Sequence, residues 1–229
     1  MGFIVAIDGP AGAGKSTVAR LVARSLGFAL VDTGALYRCV ALQAVRRAID
    51  PDDVTRLGDT AARLSIAFSA GEDGANLVSC DGEDVTHAIR DPAVSRMASV
   101  VASRPAVREA LLELQRRLGR AVPHGAVLEG RDIGTVVFPA ADAKVFLTAS
   151  PEERARRRFA ELSARGVATT FAAVLADQIQ RDREDETRAV APLKPASDAV
   201  LVDTTGLPTE DVVGRIVAIV NARRPSSRG

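Results

Sequence analysis

Residues 8–17 read DGPAGAGKST, and within them Gly9, Gly14, Lys15 and Ser16 fit the spacing G-x-x-x-x-G-K-[ST]. The pattern suits phosphate for physical reasons. Gly tolerates the backbone angles that turn successive N–H groups inward around an anion. A following helix N-terminus adds free N–H groups and a partial positive charge. Lys15 can then reach β- and γ-phosphates, and Ser16 offers a hydroxyl to Mg²⁺. The residues expected to hold ATP are Gly9, Pro10, Ala11, Gly12, Ala13, Gly14, Lys15, Ser16 and Thr17. Three lysines (Lys15, Lys144, Lys194) stand among 30 basic residues, leaving 27 arginines. A chain that uses Arg almost everywhere keeps Lys at 15, where a compact ammonium fits inside a phosphate ring.

Such a loop works only between two ordered elements. Phe3 to Ile7 is a short apolar run with β-branched members, as in a buried parallel strand. From Lys15 to Leu26, apolar residues at 18, 21, 22 and 26 mark one helix face, closed by Gly27. Further strands are expected at Ala29–Asp32, Ala126–Leu128, Lys144–Thr148 and Ala199–Val202. Helices are expected at Gly34–Ala48, Val94–Ala102, Ala106–Leu118, Pro151–Ala164, Phe171–Gln180 and Glu210–Ala222. This alternation predicts an α/β fold, a P-loop core with a parallel sheet flanked by helices on both faces. Leu64, Ile66 and Phe68 alternate with polar or small residues. Then come a turn in AGEDGAN, a run from Leu77 to Cys80, the hairpin dipeptide Asp81-Gly82, and Glu83 to Val85. That is a small antiparallel insert. The tail RPSSRG is expected to fray.

A phosphate loop alone does not name a reaction. VDTGALYR at 31–38 and EGRDIGTVVFP at 129–139 stand at the carboxyl ends of strands, where open α/β sheets bind ligands. RDREDETRAVAPL at 181–193 lies between helical stretches, as a mobile lid would. Glu129 directly follows an apolar strand, where P-loop enzymes place the acid that holds a Mg²⁺-bound water; it equally fits a strand-end carboxylate capping the next loop. Arg154, Arg157 and Arg158 fall on one helix face, suited either to ATP phosphates or to solvent.

Taken together, DGPAGAGKST, DTGALYR, EGRDIGTVVFP and RD..D..R.V.PL resemble the bacterial cytidylate kinase family of nucleoside monophosphate kinases, over nearly the whole chain and in order. The resemblance implies one kinase domain in three parts. These are a core (about 1–35, 122–150 and 196–224), a monophosphate-binding region bearing the β insert (about 36–121), and a short lid with flanking helices (about 151–195). It implies Mg²⁺-dependent transfer of the ATP γ-phosphoryl group to CMP or dCMP, giving the diphosphate and ADP. It assigns Arg38, Arg131 and Arg188 to the CMP phosphate. Lys15, Arg131 and Arg188 become the catalytic cations. Thr33 stands where the family often has Ser, and Tyr37 joins the CMP site. Ser99, Arg108 and Asp132 take base-contacting positions, with polarity suited to the N4 donor and the N3 and O2 acceptors of cytosine. Asp185 and Arg181 take positions at the ribose, although by spacing they also suit a local ion pair with Asp182 or Arg183.

Other classes fit less well. Net charge is +1 and aromatics are 3%, so a basic stripe with stacking platforms for nucleic acid is not expected. No N-K-x-D guanine-reading motif occurs, which argues against a regulatory GTPase. A kinase for another monophosphate or small metabolite stays open at this level. Cys39 and Cys80, in no metal-ligand spacing, read as free thiols of a reducing cytosol. No apolar run approaches membrane-spanning length and no signal peptide is read before FIVAID. A cytoplasmic monomer is the expectation.

Overall fold

The computed structural model describes residues 2–71 and 75–224. Along the chain run β1 (Phe3–Asp8), α1 (Lys15–Leu26), β2 (Ala29–Asp32), α2 (Thr33–Arg46), α3 (Val54–Arg63), β3 (Ile66–Ala70), β4 (Asn76–Cys80) and β5 (Glu83–Asp84). There follow α4 (Pro92–Ser103), α5 (Pro105–Arg120), β6 (Gly125–Gly130), β7 (Ala143–Thr148), α6 (Pro151–Ala164), α7 (Phe171–Thr187), β8 (Val200–Asp203) and α8 (Thr209–Arg223). A 3₁₀ turn at Ala88–Arg90 precedes α4, and a π-helical turn at Ile133–Val137 follows β6. Residues 72–74 of the expected AGEDGAN turn (70–76) and residues 225–229 of the expected frayed tail (224–229) lie outside the described residues.

One sheet has five strands in the order β2-β6-β1-β7-β8, and a second has three, β3-β4-β5. In the first, β1 pairs in parallel with β6, from Phe3 opposite Gly125 to Asp8 opposite Gly130, and on its other side with β7. Strand β8 joins β7 in parallel. Strand β6 is buried along its whole length, which is why it reads as a continuous apolar run rather than an alternating one. Helices α1 and α8 pack on this sheet and on each other.

The chain divides into two compact units. The first takes the segments up to Ala29 and from Pro123 onward. Ile7, Leu128, Leu147 and Ile216 are among its fully buried side chains. The second is Leu30–Val122. Its core gathers α2 to α5 and the insert around Leu36, Val40, Leu57, Val78, Val101 and Leu111. The insert is the expected meander. β4 pairs antiparallel with β3 and β5, and Asp81 (φ 51°) and Gly82 (φ 83°) form the tight turn. Cys39 and Cys80 are free and buried, but they are not isolated thiols. The hydrogen bond to Cys80, followed by burial, pushes the Cys39 thiol far up.

Three expectations need correction. The stretch 181–187 is not a loop between helices, because α7 continues through it to Thr187. Its charges are spaced for a helix: Gln180 bonds Glu184 at 2.8 Å and the Thr187 hydroxyl returns to the Arg183 carbonyl. Glu129 lies inside β6 rather than after it, since pairing with β1 extends to Gly130. The polar stretch 54–63 carries a helix, α3, that was not expected. Its cap is Asp53, whose side chain accepts from Arg56 N–H.

Candidate active site

The glycine loop joins β1 to α1 as its spacing requires. Gly9 sits at φ 149°, and a Cβ there would lie 2.0 Å from the Leu147 carbonyl oxygen. Helix α1 begins at Lys15 with no acid in its first turn, so its positive end faces the loop uncompensated. The Lys15 ammonium is buried and donates to the Pro10 carbonyl at 2.7 Å. Burial, then the Arg131 charge, pushes its pKa down to about 7; Glu129 and Asp185 oppose this and Arg181 adds to it. Five of the expected site residues therefore act on one another around a single lysine. Ser16 and Thr17, next along α1, are exposed.

The turn after β6 supplies the next group. Glu129 and Asp132 are both buried. Arg131 donates through Nε to Asp185 at 2.9 Å, and Arg188 Nη1 stands 3.5 Å from the other oxygen of the same carboxylate. Arg188 also donates to the carbonyls of Val190 and Ala191. Burial pushes the Asp185 carboxyl up, but Arg131, its hydrogen bond, Arg181 and Arg188 more than offset this and hold it below the ordinary range. Asp185 thus pairs with Arg131 across 54 residues and with Arg188 locally, rather than with Arg183.

Asp8 and Gln178 were not singled out from sequence, and the three arginines of α6 were left between ATP phosphates and solvent. Asp8, at the end of β1, accepts from the backbone N–H of Ile133 at 2.8 Å and of Gly134 at 2.7 Å. Burial pushes its pKa up to about 6 against those two bonds, with Asp132 adding to the rise and Lys15 opposing it. Arg154 does not face solvent or lie loose among cations. It forks onto Asp182 at 2.6 and 3.0 Å and donates to the carbonyls of Ala149 and Ala11. Gln178 donates to the same Ala11 carbonyl. Arg157 bonds Glu153 and both the hydroxyl and carbonyl of Thr204, while Arg158 pairs with Glu161 at 2.8 Å. The three arginines of one helix face thus have three different employments. A cavity of about 410 Å³ opens beside the loop, with Gly14, Thr17, Arg157, Thr204, Pro208 and Val212 in its wall.

The second unit holds the remaining candidates. Asp32 caps α2 by accepting from Ala35 N–H at 3.0 Å, which sets Thr33 as the first helical residue, buried. One turn on, Tyr37 lies under Arg108, whose guanidinium carbon is 5.6 Å from the ring centre. Arg108 also donates to the Ala102 carbonyl at 3.2 Å. Arg38 donates to the Ser95 hydroxyl at 2.7 Å and to the Ile89 carbonyl at 3.1 Å. Ser99 follows Ser95 by one turn of α4, half-buried. Among the described residues no cluster of three or more His, Cys, Asp or Glu suits a metal ion, and no helix is long and apolar enough to cross a membrane.

Comparison with known proteins identifies the family. The family model for cytidylate kinase matches residues 5–222. A cytidylate kinase of Pelotomaculum thermopropionicum is 54% identical over 220 residues, covering 96% of each chain. One of Geobacter sulfurreducens is 50% identical, covering 100% of this chain and 97% of its own. Among solved structures, an uncharacterized protein of Eubacterium ventriosum shares the fold at a TM-score of 0.54 and 10% identity, covering 97% of this chain and 99% of its own. The chain belongs to the cytidylate kinase family.

Proposed function

We propose that this chain transfers the γ-phosphoryl group of ATP to CMP or dCMP, giving CDP or dCDP and ADP, with Mg²⁺. The observation that carries this reading is the convergence on buried Lys15 of the charges of Glu129, Arg131, Arg181 and Asp185. The donor loop and the acceptor cations meet at one point. Phosphoryl transfer leaves little covalent work to the protein; alignment and charge neutralisation do most of it. Residues 9–17 cradle the ATP phosphates. Adenine takes the cavity beside Gly14 and Thr17. Lys15 shifts from the Pro10 carbonyl to the transferring group, where the added negative charge favours its ammonium form. Arg131 and Arg188 exchange part of their hold on Asp185 for the acceptor phosphate, which planar forked cations suit. Arg38 offers a third fork, and Thr33 and Tyr37 add hydroxyls. The Asp132 carboxylate accepts a hydrogen bond from the cytosine N4 amino group, Arg108 and Ser99 serve its acceptors, and Arg181 and Asp185 hold the ribose.

Mg²⁺ fits the donors present. The Ser16 hydroxyl would ligate the ion as a hard oxygen, and the buried Glu129 carboxylate would hold one of its waters. Mg²⁺ typically takes one or two such groups and completes its shell with water and phosphate, so a larger protein cluster is not needed. When bound, the ion neutralises charge on the β- and γ-oxygens.

The same reading takes the chain to act as a monomer. The three-part division into core, monophosphate-binding region and lid is proposed with the same boundaries as above. Cytoplasmic work on free nucleotides, without nucleic acid or membrane, completes the reading.

The test is a coupled assay of ADP release with ATP, Mg²⁺ and each nucleoside monophosphate in turn. CMP and dCMP should be fastest; faster turnover of AMP or GMP sinks the reading. Lys15→Ala should lower kcat by about 10²-fold or more, with an unchanged circular dichroism spectrum. Near-normal turnover in that variant removes the role given to Lys15.

A further inference from the structure

We propose that Gln178 is a positioning residue for the donor phosphates: with Arg154 it holds the Ala11 carbonyl, fixes the peptide between Ala11 and Gly12, and so aims the Gly12 N–H into the phosphate loop. This rests on the reading above, in which residues 9–17 cradle ATP. Pro10 to Ala13 form a tight turn at the tip of the loop, closed by the Ala13 N–H on the Pro10 carbonyl. Gly12, its third residue, has φ 76°. That angle belongs to a type II turn; the type I alternative has a negative φ there and turns the central peptide nearly over. The central peptide is the Ala11 carbonyl with the Gly12 N–H, which point in opposite directions across a trans bond. Whatever holds the carbonyl therefore decides where the amide faces.

The turn does little to hold itself. Its closing bond is 3.5 Å long, beyond the ordinary range, and Lys15 takes the Pro10 carbonyl at 2.7 Å. The Ala11 carbonyl, by contrast, has two donors from distant elements: Arg154 Nη1 of α6 at 3.2 Å and the side-chain amide of Gln178 in α7. Both side chains are buried. A Cβ at Gly12 would lie 3.0 Å from Arg154 Cβ and 3.1 Å from Gln178 Nε2, so α6 and α7 close directly on this peptide. The Gly12 N–H, opposite the held carbonyl, points away from them. Gly12 is exposed, and among the described residues nothing accepts from its N–H. Loss of the Gln178 bond leaves the carbonyl on Arg154 alone and lets the type I form compete. In that form the amide turns toward α6 and α7, and the phosphates lose a donor.

The experiment compares wild type with Gln178→Met, which keeps the length of the side chain but not the donor, and Gln178→Glu, which sets a carboxylate against the carbonyl. Equilibrium binding of ATP and of inorganic triphosphate, each without acceptor, reads the loop. Both affinities should fall by about two- to tenfold in Gln178→Met, the equivalent of one net hydrogen bond, and further in Gln178→Glu. KM for CMP should move much less than KM for ATP. Hydrogen exchange at the Gly12 amide, followed by NMR, should slow when triphosphate is added to wild type and slow less in Gln178→Met. Unchanged affinities in a folded variant overturn the proposal, even with a lowered melting temperature, because a merely structural glutamine would change only the melt. So does Gly12 exchange that triphosphate fails to slow in wild type. If one variant does not fold, the other decides by the same readouts. Triphosphate binding needs no acceptor, so a wild type that prefers another monophosphate sinks the proposed function while these measurements still decide the role of Gln178.

Discussion

Asp132 carries the sharpest chemical choice in the chain. A carboxylate accepts a hydrogen bond from the N4 amino group of cytosine and has nothing to donate to O4 of uracil. Its neighbour Arg131 is tied to Asp185 at 2.9 Å, and in the proposed reading one turn would serve phosphate and base with adjacent residues. Hydrogen bonds to charged groups contribute roughly 1.5–3 kcal/mol, which sets discrimination at about 10- to 150-fold. Asp132→Ala should therefore lose kcat/KM for CMP much more than for UMP. Arg108→Ala should weaken both, because both bases present O2 and because Arg108 also covers the Tyr37 ring. Steady-state kinetics for both bases, alongside a thermal melt, checks this. Equal losses for CMP and UMP in Asp132→Ala would move the residue from reading N4 to supporting Arg131.

At the scale of elements, α6 and α7 matter through what they grip. Arg154 on α6 is buried, forks onto Asp182 of α7, and shares the Ala11 carbonyl with Gln178 of α7. The helix that carries Arg181 and Asp185, and leads into Arg188, is thereby fastened to the tip of the phosphate loop. Removing one partner of a buried ion pair leaves the other charge uncompensated, at a cost of about 3 kcal/mol or more. Asp182→Ala and Arg154→Ala should each destabilise the protein by about that amount in urea unfolding. The double variant should cost much less than the sum, since neither charge is then stranded. Additive losses would show that the pair is not a unit.

The contrast with the sequence is instructive here. Helix α6 and the phosphate loop were legible because capping, apolar period and glycine spacing are local signals. Arg154 was not assignable, because its partners are 28 and 143 residues away. The end of α7 was misread as a loop for a related reason. Dense alternating charge looks like solvated coil until its i,i+4 pairs and its grip on Arg154 are seen. Asp8 stood in plain view at the head of the glycine motif, yet an acid ending an apolar strand gives no hint of the two amides it meets.

For the whole molecule, two carboxylates, buried Asp8 and half-buried Asp185, pull the pH dependence of stability in opposite directions. Asp8 is raised from 3.8 to about 6 in the folded protein. Between those values the folded state holds a proton that the unfolded state has released. Stability from this group therefore falls as pH rises from about 4 to about 6 and is flat above that. Asp185 is held below 3.8. Its contribution is fully present above that value and is lost as pH falls through the folded pKa. Urea unfolding of wild type, Asp8→Asn and Asp185→Asn across pH 3 to 8 separates the two, each variant removing one titration. The stability of wild type relative to Asp8→Asn should decline between about pH 4 and 6 by on the order of 3 kcal/mol, at about 1.4 kcal/mol per pKa unit. The stability of wild type relative to Asp185→Asn should hold steady above about pH 4 and shrink below it. A wild-type to Asp8→Asn difference that is flat from pH 4 to 6 would mean that Asp8 ionises in the fold as readily as in the open chain. The two amide bonds would then fully offset its burial.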